Sequence, residues 1–322
     1  MKKINICVIG AGQWGLNHIK TLILLDVNVG CIDIDQEKLN FIKSSFPGIS
    51  CFSSIKDSFA ANYQGYVIAT PPTSHAKLAK LLISNHKAVL VEKPLCLNLS
   101  DSEEIKSQLI EFKGKLIVGH LMLFHPAIVK IKKIIEEGVI GNIRYIYSNR
   151  LNLGRVRKEE NVFWSFAPHD ISIFQYFSNS FPSSVISHGG DFLQKNIQDT
   201  TITYLKYPNG IQGHIYVSWL HPFKEHRLVI IGSKGSLHFE DSLSAKPLLF
   251  YENDISLVNN QKNIKNTLPQ KIEYDVTLPL ENELKYFIKI IKGEDITIAS
   301  IDEGIDVINI LEKSSNSLDL NT

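Results

Sequence analysis

Gly10-Ala11-Gly12-Gln13-Trp14-Gly15 is the stretch whose reading decides the fold. It follows an apolar run, Ile4 to Ile9, that reads as a strand. It precedes Leu16 to Leu25, which reads as a helix. Strand, glycine loop and helix in that order are the context a dinucleotide fingerprint requires. The first glycine permits the tight turn, the second lets a pyrophosphate approach the backbone, and the third lets helix and strand pack closely. The helix N-terminus then offers unpaired N–H groups and a positive dipole end to the phosphates. A second run, Val27 to Ile32, ends in Asp33, close to the expected offset of ~20 residues. A carboxylate there accepts from both ribose hydroxyls and repels a 2′-phosphate, so NAD is expected in preference to NADP. A structural glycine turn with a solvated Asp is the bland alternative. Motif, context and acid together favour the cofactor.

Outward from this loop, strand and helix alternate. A helix around Gln36 to Ser44, strands near Ile49 to Phe52 and Gly65 to Ala69, a helix over His75 to Ser84 and strands at Ala88 to Val91 and Leu116 to Gly119 are expected. Ser100-Asp101-Ser102-Glu103 reads as a capping box opening a helix. Continuous apolar strands between helices imply a parallel, doubly wound sheet. Ligands of such sheets bind beyond the carboxyl ends of the strands, where Gly10 to Gly15, Thr70 to His75 and Glu92 to Pro94 all fall. The second part changes character. After a helix near Pro126 to Glu137, strands dominate from Ile143 to Glu240, with hairpin turns at Tyr207-Pro208-Asn209-Gly210 and Gly232-Ser233-Lys234-Gly235. This implies a large, mostly antiparallel sheet with one open face. Ile202, Tyr204, Ile215 and Val217 are expected to make a face too apolar for water. Asn253 to Lys271 reads as a polar, mobile loop, and amphipathic helices at Glu281 to Lys292 and Ile301 to Ser317 follow. The division expected is 1–120 for a dinucleotide-binding domain and 121–322 for a substrate-binding and oligomerisation domain.

With 322 residues, 44% of them apolar, and a net charge of +1, the chain reads as a two-domain globular protein. That balance argues against nucleic acid or an anionic membrane as the main partner. No apolar run approaches the ~18 residues of a membrane span. Met1-Lys2-Lys3 leads into a strand rather than a signal peptide, so a cytoplasmic protein is expected. Cys7, Cys31, Cys51 and Cys96 form no CxxC pair, and Cys7 and Cys31, within expected parallel strands, read as reduced core thiols rather than bridges or ligands. His221 and His226 lack the HExxH spacing of a helical zinc site, and no metal is expected.

These features together resemble the Gfo/Idh/MocA family of oxidoreductases, over essentially the whole chain. Its carriers are Gly10 to Gly15, Ala69-Thr70-Pro71-Pro72-Thr73-Ser74-His75 and Glu92-Lys93-Pro94. Pro279-Leu280-Glu281-Asn282-Glu283 and Asp302-Glu303-Gly304 also resemble it. The fold implied is an N-terminal Rossmann domain plus a C-terminal α+β domain, an α/β protein overall. Gly119 to Pro126, Ser148 to Gly154, Trp164 to Asp170 and Ser218 to Phe223 are most similar to the family's nucleotide-sugar dehydrogenases. The resemblance therefore implies NAD-dependent oxidation of the 3-hydroxyl of a UDP-linked N-acetylhexosamine, in surface-polysaccharide or lipid A synthesis. It also implies a homodimer or homotetramer. A dehydrogenase or reductase of an unactivated sugar or polyol is the alternative, followed by a non-catalytic NAD-binding regulator.

The cofactor residues so implied are Gly10, Gly12, Gln13, Trp14, Gly15, Asp33, Thr70, Pro71, Pro72, His75, Glu92, Lys93 and Pro94. A cis peptide bond before Pro94 is also implied. Lys93 and His169 are the catalytic candidates. An ammonium at the strand end stabilises a developing alkoxide, and a His of near-neutral pKa suits the general base. Many family members carry an Asp four residues before that His. Here the position is Ser165, and Asp170 or Asn152 are the candidates to orient the ring. Arg150, Arg155, Arg157 and Lys158 gather four cations in one segment, and Arg forks suit diphosphate oxygens. A solvated charged loop explains the same run. His120, Arg150, Asn152, Arg155, Arg157, Trp164 and His169 complete the expected substrate residues.

Overall fold

The computed structural model describes residues 3–319, apart from 155, 159, 259, 260 and 267. Contacts divide the chain into two units. One comprises Met1–Phe124 with Thr277–Asn309, the other His125–Val276 with Ile310–Thr322. The expected boundary near 120 lies at the first crossing, but the chain returns to the first unit later. The amphipathic helix assigned from sequence to the second part supplies Leu284, Phe287 and Ile290 to the first unit's core.

In the first unit, β1 (Asn5–Ile9), β2 (Asn28–Ile32), β3 (Ser50–Phe52), β4 (Gly65–Ile68), β5 (Ala88–Glu92) and β6 (Lys115–Gly119) alternate with helices. The helices are α1 (Gln13–Leu24), α2 (Gln36–Ser45), α3 (Ile55–Phe59), α4 (His75–Ser84) and α5 (Leu99–Glu111). The strands pair in the order β3-β2-β1-β4-β5-β6, all parallel. Ile6, Cys7, Val8, Val67, Leu90 and Ile117 are buried, as strands covered on both faces require. The order reverses on either side of β1, which creates the crevice where such sheets bind ligands. All four cysteines are free. Burial pushes the Cys31 thiol up to about 12, with Cys51 and Asp33 adding to it, so it is an inert core group. α5 starts earlier than its expected capping box. Asn98 is the cap, accepting from Asp101 N at 2.7 Å, which leaves Ser100 inside the first turn.

The second unit opens with α6 (Pro126–Glu136), whose cap His125 accepts from Ala127 N. β7 (Ile143–Leu153), α7 (Val162–Phe166) and α8 (Pro168–Ser178) follow, then β8 (Ser184–Gly190), β9 (Thr200–Lys206), β10 (Gln212–Ser218), β11 (Leu220–Gly232), β12 (Gly235–Glu240), β13 (Leu248–Val258), β14 (Gln261–Asn266) and β15 (Gln270–Lys271). The last helices are α9 (Pro279–Lys292) and α10 (Ile301–Asp319). The sheet runs β14-β13-β12-β11-β7-β10-β9-β8, with β15 on β13. It is antiparallel except between β7 and β10. Both expected hairpin turns are present, with Gly210 at φ +86°.

The segment Asn253 to Lys271, expected as a loop, instead extends the sheet as a strand pair, Asn253↔Asn266 to Val258↔Gln261. Its polar composition misled because ladder hydrogen bonds need no apolar side chains. The four residues expected to form one apolar face are also split. Ile215 and Val217 are fully buried, whereas Ile202 is 47% exposed. Tyr216 stands opposite Ile202, and with period-two alternation one set must face each side. The open side carries aromatics. His214 stacks on Tyr147 at 5.2 Å between centroids and lies 2.8 Å from the Tyr145 hydroxyl.

Candidate active site

Gly10 closes the turn after β1 at φ +100°, and its N–H donates to Ile32 O at 2.8 Å. A Cβ on Gly10 would lie 2.6 Å from Ala69 O, and one on Gly15 would lie 1.8 Å from Gly10 O. Both glycines are demanded by the protein's own packing. Gly12 differs, because a Cβ there would meet nothing within 4 Å. The fold leaves that space open on the path a pyrophosphate would take. Gly12 is also the N-cap of α1 and offers no side-chain cap, and no acidic residue occupies the first turn. The N–H groups there are left for an anion. Gln13 and Trp14 sit exposed in that turn, Trp14 by 45%.

Asp33, at the end of β2, does structural work as well. Its Oδ2 accepts from Ala11 N at 2.6 Å and its Oδ1 from Asp35 N at 2.9 Å. The carboxylate is thus fixed against the glycine loop. These residues fit a dinucleotide, and NAD in particular. Asp33→Ala should erode a preference for NAD over NADP and loosen the loop. Calorimetry would show it, and equal wild-type affinity for both cofactors would refute the assignment.

The loops after β4 and β5 are clamped together. His75 is 1% exposed. Its Nδ1 lies 2.8 Å from Pro94 O and its Nε2 lies 2.9 Å from Thr70 O. Burial lowers its pKa, and a neutral ring donates to one carbonyl at a time. His75 therefore ties Thr70 to Pro94 rather than presenting itself to a ligand. Thr70 Oγ1 meets Ser74 Oγ at 2.6 Å, which bonds back to Pro71 O across the turn at Pro72. The Lys93–Pro94 peptide is cis. Lys93 follows β5, with its N–H 3.3 Å from Glu92 Oε2, and Glu92 Oε1 accepts from His18 Nε2 at 2.7 Å. His120 is 1% exposed, and burial first, then Lys93, lowers its pKa to about 4. It is a neutral interior histidine, not a surface group open to substrate.

In the second unit, His169 is the second residue of α8, and its carbonyl accepts from Ser172 Oγ. Asp170, beside it, is committed elsewhere. Its Oδ2 accepts from Arg150 Nε at 2.7 Å and its Oδ1 from Arg150 Nη2 at 3.2 Å. The two side chains are only 12% and 4% exposed. Arg150 lies two residues from the buried Ser148 on β7, so alternation turns it to the helix-covered face. Burial opposes the Arg150 charge, yet Asp170 and Asp241 outweigh it and hold its pKa above the usual range. Arg150 is an internal pair, which corrects its expected place among phosphate ligands. Arg155 lies outside the described residues. Arg157 is exposed, 3.8 Å from Glu160, and Lys158 is exposed beside it. Trp164 donates its indole N–H to Ser315 Oγ at 2.9 Å, which anchors α7 to α10. Asn152 lies on β7 and Ser165 is buried in α7. Among the described residues no group of three or more His, Cys, Asp or Glu is placed to hold a metal ion. No helix among them is long and apolar enough to cross a membrane.

The sequence reading gave α8 no range and placed a helix start at His169 only as the bland alternative, although Pro168 at its first position and Asp170 in its first turn are start signals. It also missed Glu283, which is fully buried in α9.

A glycine-loop phosphate cradle, an acid at the end of β2 and a strand-end lysine define an oxidoreductase built on a dinucleotide-binding fold. Residues 4–120 match the oxidoreductase family with an NAD-binding Rossmann fold, and residues 128–238 match the GFO/IDH/MocA C-terminal domain. The chain belongs to the Gfo/Idh/MocA family. Scyllo-inositol 2-dehydrogenase (NAD(+)) of Bacillus subtilis is 27% identical over 250 residues, covering 73% of each chain. UDP-N-acetylglucosamine 3-dehydrogenase GnnA from Acidithiobacillus ferrooxidans shares the fold at a TM-score of 0.86 and 18% identity, covering 99% of each chain. GenD2 from gentamicin A biosynthesis, solved in complex with NAD, shares it at 0.81 and 17%, covering 100% of this chain and 96% of that one.

Proposed function

We propose that the protein oxidises the 3-hydroxyl of a UDP-linked N-acetylhexosamine to the 3-keto sugar, using NAD. The observation that carries the oxidation is the placement of Lys93. It stands at the carboxyl end of β5, on the same sheet edge as the Gly10–Gly15 loop and Asp33. NAD, when bound, supplies the hydride acceptor. Lys93 hydrogen-bonds the reacting oxygen and stabilises alkoxide charge as the hydride leaves. His169 takes the hydroxyl proton as general base. Gly12 and the first turn of α1 hold the pyrophosphate, and Asp33 the adenosine ribose.

Support for a nucleotide sugar is the exposed pair Arg157 and Lys158 after β7 and the chain-long likeness to a UDP-N-acetylglucosamine dehydrogenase. Support for a polyol is equally specific. Arg150 is withdrawn into a buried pair, and an inositol dehydrogenase is the relative at 27% identity. The deciding assay follows NADH formation with UDP-N-acetylglucosamine, N-acetylglucosamine and myo-inositol in parallel. The expected result is oxidation of the first with little of the others. Efficient oxidation of either unactivated compound, with none of the nucleotide sugar, would transfer the assignment to the polyol reading.

In the same reading the enzyme is cytoplasmic and works as a homodimer or homotetramer. The aromatic open face of the second unit's sheet is the surface that pairs, since a half-exposed Ile202 beside Tyr204 and Tyr216 suits burial against a copy. A strictly monomeric mass by light scattering at micromolar concentration would count against this.

A further inference from the structure

Four polar side chains from four elements converge behind the β5 corner of the first unit. Glu92 ends β5, His18 lies on α1, His120 follows β6 and Glu283 lies on α9. α9 packs on α1, β5 and β6, and Gly119 pairs with Glu92 across the β5–β6 ladder. His18, His120 and Glu283 are 0%, 1% and 0% exposed. The only hydrogen bond among the four is His18 Nε2 to Glu92 Oε1. His18 Nδ1, both ring nitrogens of His120 and both carboxyl oxygens of Glu283 are buried without a partner in the protein. Buried polar atoms are almost always paired, and where protein groups do not reach them, ordered water does.

We propose that Glu283 is a positioning residue for Lys93, acting through a buried, water-bridged network with His120, His18 and Glu92 that fixes the end of β5. The proposal rests on the reading of Lys93 as the group that contacts the reacting oxygen. The charges are consistent with it. Burial, then the neighbouring Glu92, pushes the Glu283 carboxyl well above the usual carboxylate range, so it enters the network as a neutral acid. His120 is kept neutral by burial, with Lys93 adding to it and Glu92 opposing it. Each then brings one donor and at least one acceptor. Glu92 accepts from His18 and from the Lys93 N–H. Glu92, at the end of β5, is the charged group beside Glu283; it also meets His18 from α1 and, with Lys93 just after β5, acts on His120. Without the Glu283 acid the bridged network around Glu92 is incomplete. The Glu92 side chain can then shift relative to the Lys93 ammonium.

The test compares Glu283→Leu and Glu283→Gln in the full chain. Lys93 is followed by NMR of carbon-13-methylated lysines, with its signal identified by its loss in Lys93→Arg. In Glu283→Leu the Lys93 titration midpoint should move by about one unit. UDP-N-acetylglucosamine turnover should fall about tenfold with it, while NADH affinity holds. Glu283→Gln keeps a neutral group with a donor and an acceptor, so it should restore most of both losses. Glu283→Gln also serves if the leucine variant fails to fold, because an ionised wild-type Glu283 would make this neutral replacement shift Lys93. Lys93 titrating alike in wild type and leucine variant, or Glu283→Gln moving it by a unit, would overturn the proposal. If wild type does not oxidise UDP-N-acetylglucosamine, the functional reading fails on its own. The Lys93 titration, which needs no substrate, still decides this one.

Discussion

Lys93→Met is expected to lower turnover by about 10²–10³, the usual loss when a donor to a developing oxyanion is removed. The Kd for NAD should stay within a small factor. Methionine keeps the length and most of the volume of lysine but carries no charge. The loops that hold the dinucleotide are built from other residues. Gly10 and Gly15 are set by backbone packing, Asp33 is pinned by Ala11 and Asp35, and Thr70 is clamped to Pro94 through His75. The variant therefore separates chemistry from cofactor binding. Steady-state kinetics alongside calorimetry would read both. A comparable loss in NAD affinity would make Lys93 a cofactor ligand first. His169→Ala should lower turnover and flatten its pH profile near neutrality. Near-normal turnover at every pH would assign the base to another group.

Asp170→Ala should destabilise the protein by about 3–5 kcal/mol, the cost of leaving one partner of a buried ion pair uncompensated. Arg150 has both of its contacts on this carboxylate at 2.7 and 3.2 Å, and its side chain is too buried for water to replace them. Arg150→Met combined with Asp170→Leu should recover much of the loss, because two apolar side chains leave no orphaned charge. Denaturant midpoints of the two single variants and the double would show this non-additivity. An unchanged midpoint in Asp170→Ala would mean that the pair is loose. It would also reopen Arg150 as a ligand for phosphate.

What could be read from the sequence was local. The glycine loop, its flanking strand and helix, Asp33 and the two hairpin turns each depend on neighbours within a few residues, or on one strand length. Their positions in the structure match the reading. Arg150 could not be read this way. Its partner is 20 positions away on a helix, and whether a cation faces solvent or an inward carboxylate depends on which side of β7 that helix covers. Glu283 is harder still. With Glu281, Asn282 and Lys285 close by in sequence it looks like one more solvated charge at the start of a helix. Its burial follows from Leu284, Phe287 and Ile290, which turn that face inward. Asn253 to Lys271 failed in the opposite direction, because strand pairing through backbone groups leaves little trace in composition.

The first unit draws on two distant stretches of chain, Met1–Phe124 and Thr277–Asn309. This sets a timetable for its birth on the ribosome. Its sheet can form early, but the surface awaiting Leu284, Phe287 and Ile290 stays uncovered until the stretch His125–Val276 of the second unit has been made. At ~5–20 residues per second that delay is roughly 8–30 s. During it, the nascent sheet exposes an apolar groove and the side chains of His18 and His120 lack their α9 neighbour. Closure of the first unit's core in this protein is therefore a late event of synthesis, reached only when the distal helix docks.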